Sequence, residues 1–182
     1  MGRVAELGSL GRRMNRGLTL TFWTLRRLPS EELPRIGAEW LAEGLDSPSL
    51  RELAGTSSPQ MSDVGPLFEK ALSELRFVLP KKEEALSLLA RHYAQQIIDG
   101  VVSPYDGARK IWWQVSNELE RSDPLLLSFV GAASEIEELP ERTEQDGYDR
   151  QKYARELEEM IVASARQLLK EEPNQPTRSN SP

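Results

Sequence analysis

The sequence predicts an all-α protein, a single compact bundle of about six or seven helices with flexible termini. Apolar residues recur every three or four positions over most of the chain, a spacing typical of helices rather than strands. Pairs of a serine or aspartate with a following proline interrupt this pattern at Ser47-Pro48, Ser58-Pro59, Ser103-Pro104 and Asp123-Pro124. In such pairs the side chain caps free backbone N–H groups and proline takes the first helical position, so each pair favours a helix start.

The expected helices follow from these signals in chain order. Residues 33–44 and 48–54 carry apolar side chains at helical spacing, and Ser47-Pro48 separates the two segments. Residues 63–79 continue the same pattern, and we expect this helix to stop before Pro80, because proline is poorly tolerated inside a helix.

The second half of the chain repeats the pattern. A helix is expected over 82–99, with Gly100 as its C-cap, and another over 104–120 behind the Ser103 cap. Gly107 lies inside the latter, where glycine costs about 1 kcal/mol relative to alanine, so we expect it to allow close helix packing. A last helix is expected over 147–171.

The segment 124–139 differs from the others because its apolar residues lie on nearly every side. A helix without a polar face is usually central in a protein or lies at an interface. The sequence leaves both interpretations open, and a homodimer formed through this helix or through Trp113 stays an alternative.

Charge and composition divide the chain into three parts. Residues 1–29 form a basic N-terminal segment that we expect to be partly disordered, 30–171 a helical domain, and 172–182 a polar, disordered tail. Gly17 follows several arginines and opens an apolar stretch like that of a signal peptide, but threonines interrupt it and no small-residue cleavage site follows. We therefore expect a cytoplasmic protein. Met14 is an alternative start, which leaves open whether residues 1–13 are translated.

Few residues suggest chemistry. The chain has no cysteine and one histidine, His92, and it contains no glycine-rich phosphate loop. The helical neighbours of His92 offer no metal ligand and no nucleophile, so we interpret it as a surface or hydrogen-bonded core residue. We expect no cofactor, no metal and no enzymatic activity, although an enzyme whose site assembles from scattered residues stays an alternative.

Two adjacent tryptophans give the clearest candidate for binding. Successive helical residues point about 100° apart, so Trp112, which continues the apolar stripe, is expected in the core and Trp113 partly at the surface. Exposed tryptophans are enriched as binding anchors, as are tyrosine and arginine. The candidate interaction residues are therefore Trp113, Tyr105 and Arg109; packing of Trp113 against another helix is the alternative.

Residues 38–55 resemble a DNA-binding helix-turn-helix in length and in their turn glycine. The second helix, however, contains a single basic residue, Arg51, next to the acidic Glu52, and Asp46 lies just before the helix. Because recognition helices lie against phosphates and are usually basic, we expect two helices joined by a tight turn.

Residues 45–55 and 99–112 are similar to segments of small helical bacterial proteins that have no established activity. This resemblance covers roughly residues 30–120; it implies a bacterial cytoplasmic protein and no site residue.

These observations favour a non-enzymatic protein–protein interaction module, in its most specific form an immunity or antitoxin-like protein that binds a basic partner. The formal net charge of −6 would attract such a partner. The alternative is a nucleic-acid-associated regulator that uses residues 38–55 and the basic N-terminal segment. Nucleic acid is nevertheless an unexpected partner, because the rest of the chain is acidic. No apolar run approaches the ~20 residues of a membrane span.

Overall fold

The computed structural model describes residues 15–119, 123–139 and 150–171, and it is all-helical there, with no strand. This confirms the predicted fold class, with eight α-helices in the described ranges where six or seven were expected. The predicted tail 172–182 and residues 1–14 lie outside the described ranges. The helices are α1 (Arg16–Thr24), α2 (Glu32–Ala42), α3 (Pro48–Ala54), α4 (Met61–Glu74), α5 (Lys82–Ile98), α6 (Pro104–Gln114), α7 (Pro124–Glu138) and α8 (Arg150–Lys170), with a short 3₁₀ turn at Ser116–Glu118.

The chain divides into two compact units, Met1–Lys81 and Lys82–Pro182. Helices α1 to α4 belong to the first unit and α5 to α8 to the second. The predicted helical domain over 30–171 contains no boundary at this point, and the single bundle stays a prediction.

The first unit is built around a cluster of aromatic side chains. Trp40 of α2 and Phe68 of α4 are almost fully buried, with ring centroids 5.6 Å apart. Trp23 of α1 meets Phe68 edge-on at 4.9 Å, and Phe77 approaches Trp40 at 5.1 Å. Edge-on and tilted aromatic pairs add to the stabilisation that burial provides.

Helix α1 lies where the sequence suggested only a basic segment. Asn15 caps it by accepting a hydrogen bond from Leu18 N at 2.8 Å, and its apolar side chains pack against the aromatic cluster. Two of its threonines bond the carbonyl four residues earlier, Thr19 Oγ1 that of Asn15 at 3.3 Å and Thr21 Oγ1 that of Gly17 at 2.9 Å. The Thr24 hydroxyl is buried and has no hydrogen-bond partner among the described residues.

Helix α4 ends at Glu74, five residues before the predicted end at 79. The chain leaves the helix because Arg76 takes a left-handed conformation, φ 58°, and Phe77 N bonds the Leu72 carbonyl at 2.9 Å. This is the usual hydrogen-bond pattern of a Schellman helix end, and it directs Phe77 back onto the core while Val78 is 86% exposed.

In the second unit α5 packs against α6 and α8, and α7 lies against α6 and α8. Helix α7 buries Leu126, Phe129, Ala132 and Ala133, whereas Leu127 is 48% exposed. One side of α7 therefore packs in the core, and the opposite side leaves the apolar side chain of Leu127 at the surface. No helix in the described ranges is long and apolar enough to span a membrane.

Two contacts fix the neighbours of α5. A Cβ added at Gly107 would lie 2.6 Å from Ile97 Cδ1 and nearer still to Cγ1, so α6 approaches α5 as closely as it does only because residue 107 is glycine. The Arg91 guanidinium donates to the carbonyls of Leu168 at 2.6 Å and Leu169 at 3.0 Å, which satisfies carbonyl groups at the end of α8.

Candidate functional site

Helix α6 carries all three candidate interaction residues, and its start is firmly set. Gly100, with φ +67°, ends α5, and Ser103 then caps α6 by accepting a hydrogen bond from Asp106 N at 3.0 Å. Ser103 Oγ also donates to Asp106 Oδ2 at 2.7 Å. These bonds fix the residue at which α6 begins.

The buried side of α6 consists of Gly107, Ala108 and Ile111. The outer side presents Arg109 and Trp113, and the Trp113 indole is 56% exposed. Residues four apart lie on one face of a helix, so Tyr105, Arg109 and Trp113 follow one another along this side. We call this set the α6 face.

Two of the three residues are held by one carboxylate of α7. Tyr105 donates its hydroxyl hydrogen bond to Glu137 Oε1 at 3.1 Å, and Arg109 Nε lies 3.2 Å from the same oxygen. The guanidinium also lies over the Tyr105 ring, 5.6 Å from its centroid. Burial, and then the hydrogen bond to Glu137, raises the pKa of Tyr105, so its hydroxyl stays a donor at neutral pH.

The third residue rests on its neighbour. The rings of Trp112 and Trp113 are stacked, with centroids 5.1 Å apart and planes at 20°. Trp112 is half-buried rather than fully in the core as expected, because the indoles turn towards each other although their backbone positions diverge. One ring thus supports the other at the surface, and a role of Trp113 in binding stays a prediction.

The side of α6 towards α5 contains a second polar group. Lys110 Nζ lies 5.4 Å from the centroid of the Tyr93 ring, and Tyr93 donates to Gln114 Oε1 at 2.6 Å. The ring of His92 meets Gln96 Nε2 at 3.1 Å. Burial, and then the charge of Lys110, lowers the pKa of His92, so the imidazole is neutral at pH 7 and no catalytic partner lies beside it among these contacts.

The helix-turn-helix candidate at 38–55 forms the α2–α3 hairpin. The one cation of α3, Arg51, is already paired with Asp46, Nε to Oδ1 at 2.7 Å. At the start of α3, Glu74 accepts hydrogen bonds from Ser49 N at 3.1 Å and Ser49 Oγ at 2.9 Å. A phosphate approaching this helix end would meet two carboxylates, which argues against nucleic-acid binding.

Sites for other chemistry do not stand out in the described ranges. No group of three or more His, Cys, Asp or Glu residues there could hold a metal ion. A shallow, open depression lies between Asp123 and Ser128 at the start of α7 and Gln167 and Glu171 at the end of α8. It lacks the enclosure and the buried polar groups of a typical ligand site.

Comparisons with protein-family models, with curated proteins and with solved structures found no match for this chain. The sequence did not suggest Glu137, which holds two residues of the α6 face. This residue lies in an acidic run typical of a solvated surface, and the packing of α7 against α6 brings it to Tyr105 and Arg109.

Proposed function

We propose that this chain is a non-enzymatic protein-interaction module that binds its partner through the α6 face. The observation that carries the proposal is the Trp113 indole, 56% exposed and stacked on Trp112 beside Arg109 and Tyr105. Tryptophan, tyrosine and arginine are the residue types that dominate the energy of protein interfaces.

The rigidity of the face supports the same proposal. Glu137 holds Tyr105 and Arg109, and Trp112 supports Trp113, so their side chains are already ordered before a partner arrives. Binding costs less when side chains need no further ordering.

The most specific version is an immunity or antitoxin-like protein that blocks a basic partner. Its support is the net charge of −6 and the exposed carboxylates of α7 at Glu135 and Glu138. Complementary charge speeds encounter and is screened by salt, so this version predicts weaker capture of the partner at high ionic strength.

Affinity capture from a lysate of the source organism tests the proposal. Tagged wild-type protein is compared with Trp113→Ala and with the matched control Met160→Ala, whose side chain is 52% exposed on α8 of the same unit. Circular dichroism checks that both variants fold. A partner that is lost with Trp113→Ala and kept with Met160→Ala supports the α6 face, whereas equal capture by all three proteins contradicts it.

A further inference from the structure

We propose that the segment 78–81, which follows α4, is a proteolytic processing site. A protease that recognises lysine hydrolyses the peptide bond after Lys81. The reaction consumes one water molecule and leaves a carboxylate on Lys81 and a new terminal ammonium group on Lys82. Both products keep their folds, and this inference does not depend on the α6 face being a binding surface.

The segment 78–81 is accessible and has no regular structure. It belongs to no helix, and Val78 is 86% and Leu79 42% exposed, with Lys81 exposed after them. Within the described ranges, the backbone N–H groups of these three residues donate no hydrogen bond to another backbone group. A protease can therefore bind this backbone without first breaking hydrogen bonds, and exposed segments of this kind are the preferred sites of cleavage.

The bond after the preceding basic residue, Arg76, is protected. Arg76 lies in the left-handed turn that ends α4, and the next residue, Phe77, bonds the Leu72 carbonyl through its N–H at 2.9 Å. The Phe77 ring also packs against that of Trp40, with centroids 5.1 Å apart. Cleavage there requires the end of α4 and part of the aromatic cluster to open, which makes it slower than cleavage after Lys81.

The far side of the bond after Lys81 opens more easily. Lys82 begins α5 and is exposed, as are the two residues that follow it. The first N–H groups of a helix have no partner within the helix, so its first turn unwinds at low cost. Lys82 Nζ lies 3.7 Å from Glu118 Oε2, and an ion pair between two exposed side chains holds this turn only weakly. Cleavage after Lys82 requires more of α5 to unwind than cleavage after Lys81.

Each product keeps the buried apolar residues of its own unit. The aromatic cluster and the apolar residues packed around it all lie within 18–77, so the product Met1–Lys81 loses none of them. The buried apolar residues of the product Lys82–Pro182 lie within 85–168 in the part of the chain that the structure describes. Both products are longer than about 40 residues, the length below which a chain usually needs disulfides or metals to fold. Cleavage after Lys81 therefore cuts the chain without opening a core.

Limited digestion of the intact protein with trypsin, which cuts after lysine and arginine, tests the proposal. Mass spectrometry identifies the fragments, and circular dichroism follows the helical signal during the digestion. Lys81→Gln removes the recognised residue, and the matched control Lys70→Gln removes an exposed lysine inside α4. We expect the first cut within the described ranges to fall after Lys81, to be lost in Lys81→Gln and to be unchanged in Lys70→Gln. The helical signal should persist after this cut.

Other outcomes would overturn the proposal. A first cut at another bond of the described ranges, or no cut there, would show that segment 78–81 is not the site that a protease reaches. Loss of the helical signal after a cut at Lys81 would show that the products do not keep their folds. Neither outcome bears on the α6 face, whose test is the capture experiment with Trp113→Ala.

Discussion

The hairpins α2–α3 and α5–α6 are built with the same local devices but expose different surfaces. In each, the first helix ends at a left-handed glycine, Gly44 with φ +87° or Gly100 with φ +67°. In each, a Ser-Pro pair follows after two more residues, and the serine accepts a hydrogen bond from the backbone N–H three residues on, Ser47 from Leu50 at 3.2 Å and Ser103 from Asp106 at 3.0 Å.

What differs is the outer side of the second helix. The cation of α3, Arg51, is paired with Asp46 and its neighbour is Glu52, so no large apolar side chain is exposed there. Helix α6 exposes Trp113, and its Arg109, although paired with Glu137, is 47% exposed. The glycine and the Ser-Pro pair therefore determine how each hairpin is built, and the outer residues of the second helix determine which side chains the hairpin exposes.

The largest effect on stability is expected from the close approach at Gly107. A new Cβ there would overlap Ile97, so Gly107→Ala should lower the free energy of unfolding by about 1 to 2 kcal/mol, overpacking outweighing the gain in helix propensity. A milder close approach occurs in the other hairpin at Gly37 of α2, where an added Cβ would lie 3.3 Å from Ala54 N, and Gly37→Ala should change the free energy of unfolding by less than about 1 kcal/mol. Urea unfolding followed by circular dichroism measures both.

A double substitution sharpens this result. Combining Gly107→Ala with Ile97→Ala removes the atoms that the new Cβ meets, so the double variant should be more stable than the sum of the single losses predicts. Strict additivity would contradict a steric cause.

The two N-cap serines should differ in importance. Loss of an N-cap hydroxyl typically lowers the free energy of unfolding by about 1 kcal/mol, and we expect this loss for Ser103→Ala. Ser47→Ala should cost more, about 2 kcal/mol, because Ser47 is only 5% exposed and also hydrogen-bonds Glu74. The same urea unfolding assay compares them, and a larger loss for Ser103→Ala would contradict this ranking.

The helix ends offer a smaller, stabilising change. Arg76 occupies a left-handed position, φ 58°, of the kind that Gly44 and Gly100 fill in the two hairpins. Arg76→Gly removes the steric strain that a Cβ causes in this conformation, but it also increases the conformational entropy of the unfolded chain. Because the first effect is the larger, the substitution should raise the free energy of unfolding by about 0.5 kcal/mol. A raised midpoint of thermal unfolding is the expected result, and an unchanged or lowered one would show that Arg76 is not strained.

The smallest effect is a pH dependence at the start of α3. Hydrogen bonds, first from Ser47 and then from Ser49, hold the pKa of Glu74 below its ordinary value. Because the pKa is lower in the folded chain, this stabilisation is present above the ordinary glutamate pKa and is lost as the pH falls through the folded value. The difference in stability between wild type and Glu74→Gln should therefore shrink between about pH 6 and about pH 3. A difference that grows in acid would contradict this sign.

The sequence predicted the type and approximate place of most helices because strong local signals mark them. The starts of α3, α6 and α7 coincide with Ser47-Pro48, Ser103-Pro104 and Asp123-Pro124. The predicted end of α4 at 79 was wrong, since nothing in the residue type of Arg76 announces a left-handed conformation.

The candidate site was predicted only in its local part. The outward position of Trp113 follows from helical spacing around Ala108 and Ile111. The stacking of Trp112 on Trp113 and the shared carboxylate of Glu137 depend on ring rotation and on the packing of α7, which a single helical pattern does not encode.

Substitutions on α6 and on α3 test most directly which of the two helices carries the binding surface. Quantitative capture of the partner is measured with wild type, with Trp113→Ala on α6 and with Glu52→Ala on α3, both exposed positions. We predict that Trp113→Ala abolishes capture while Glu52→Ala retains it. Retention by Trp113→Ala together with loss by Glu52→Ala would contradict the proposal and place the binding surface on the α2–α3 hairpin.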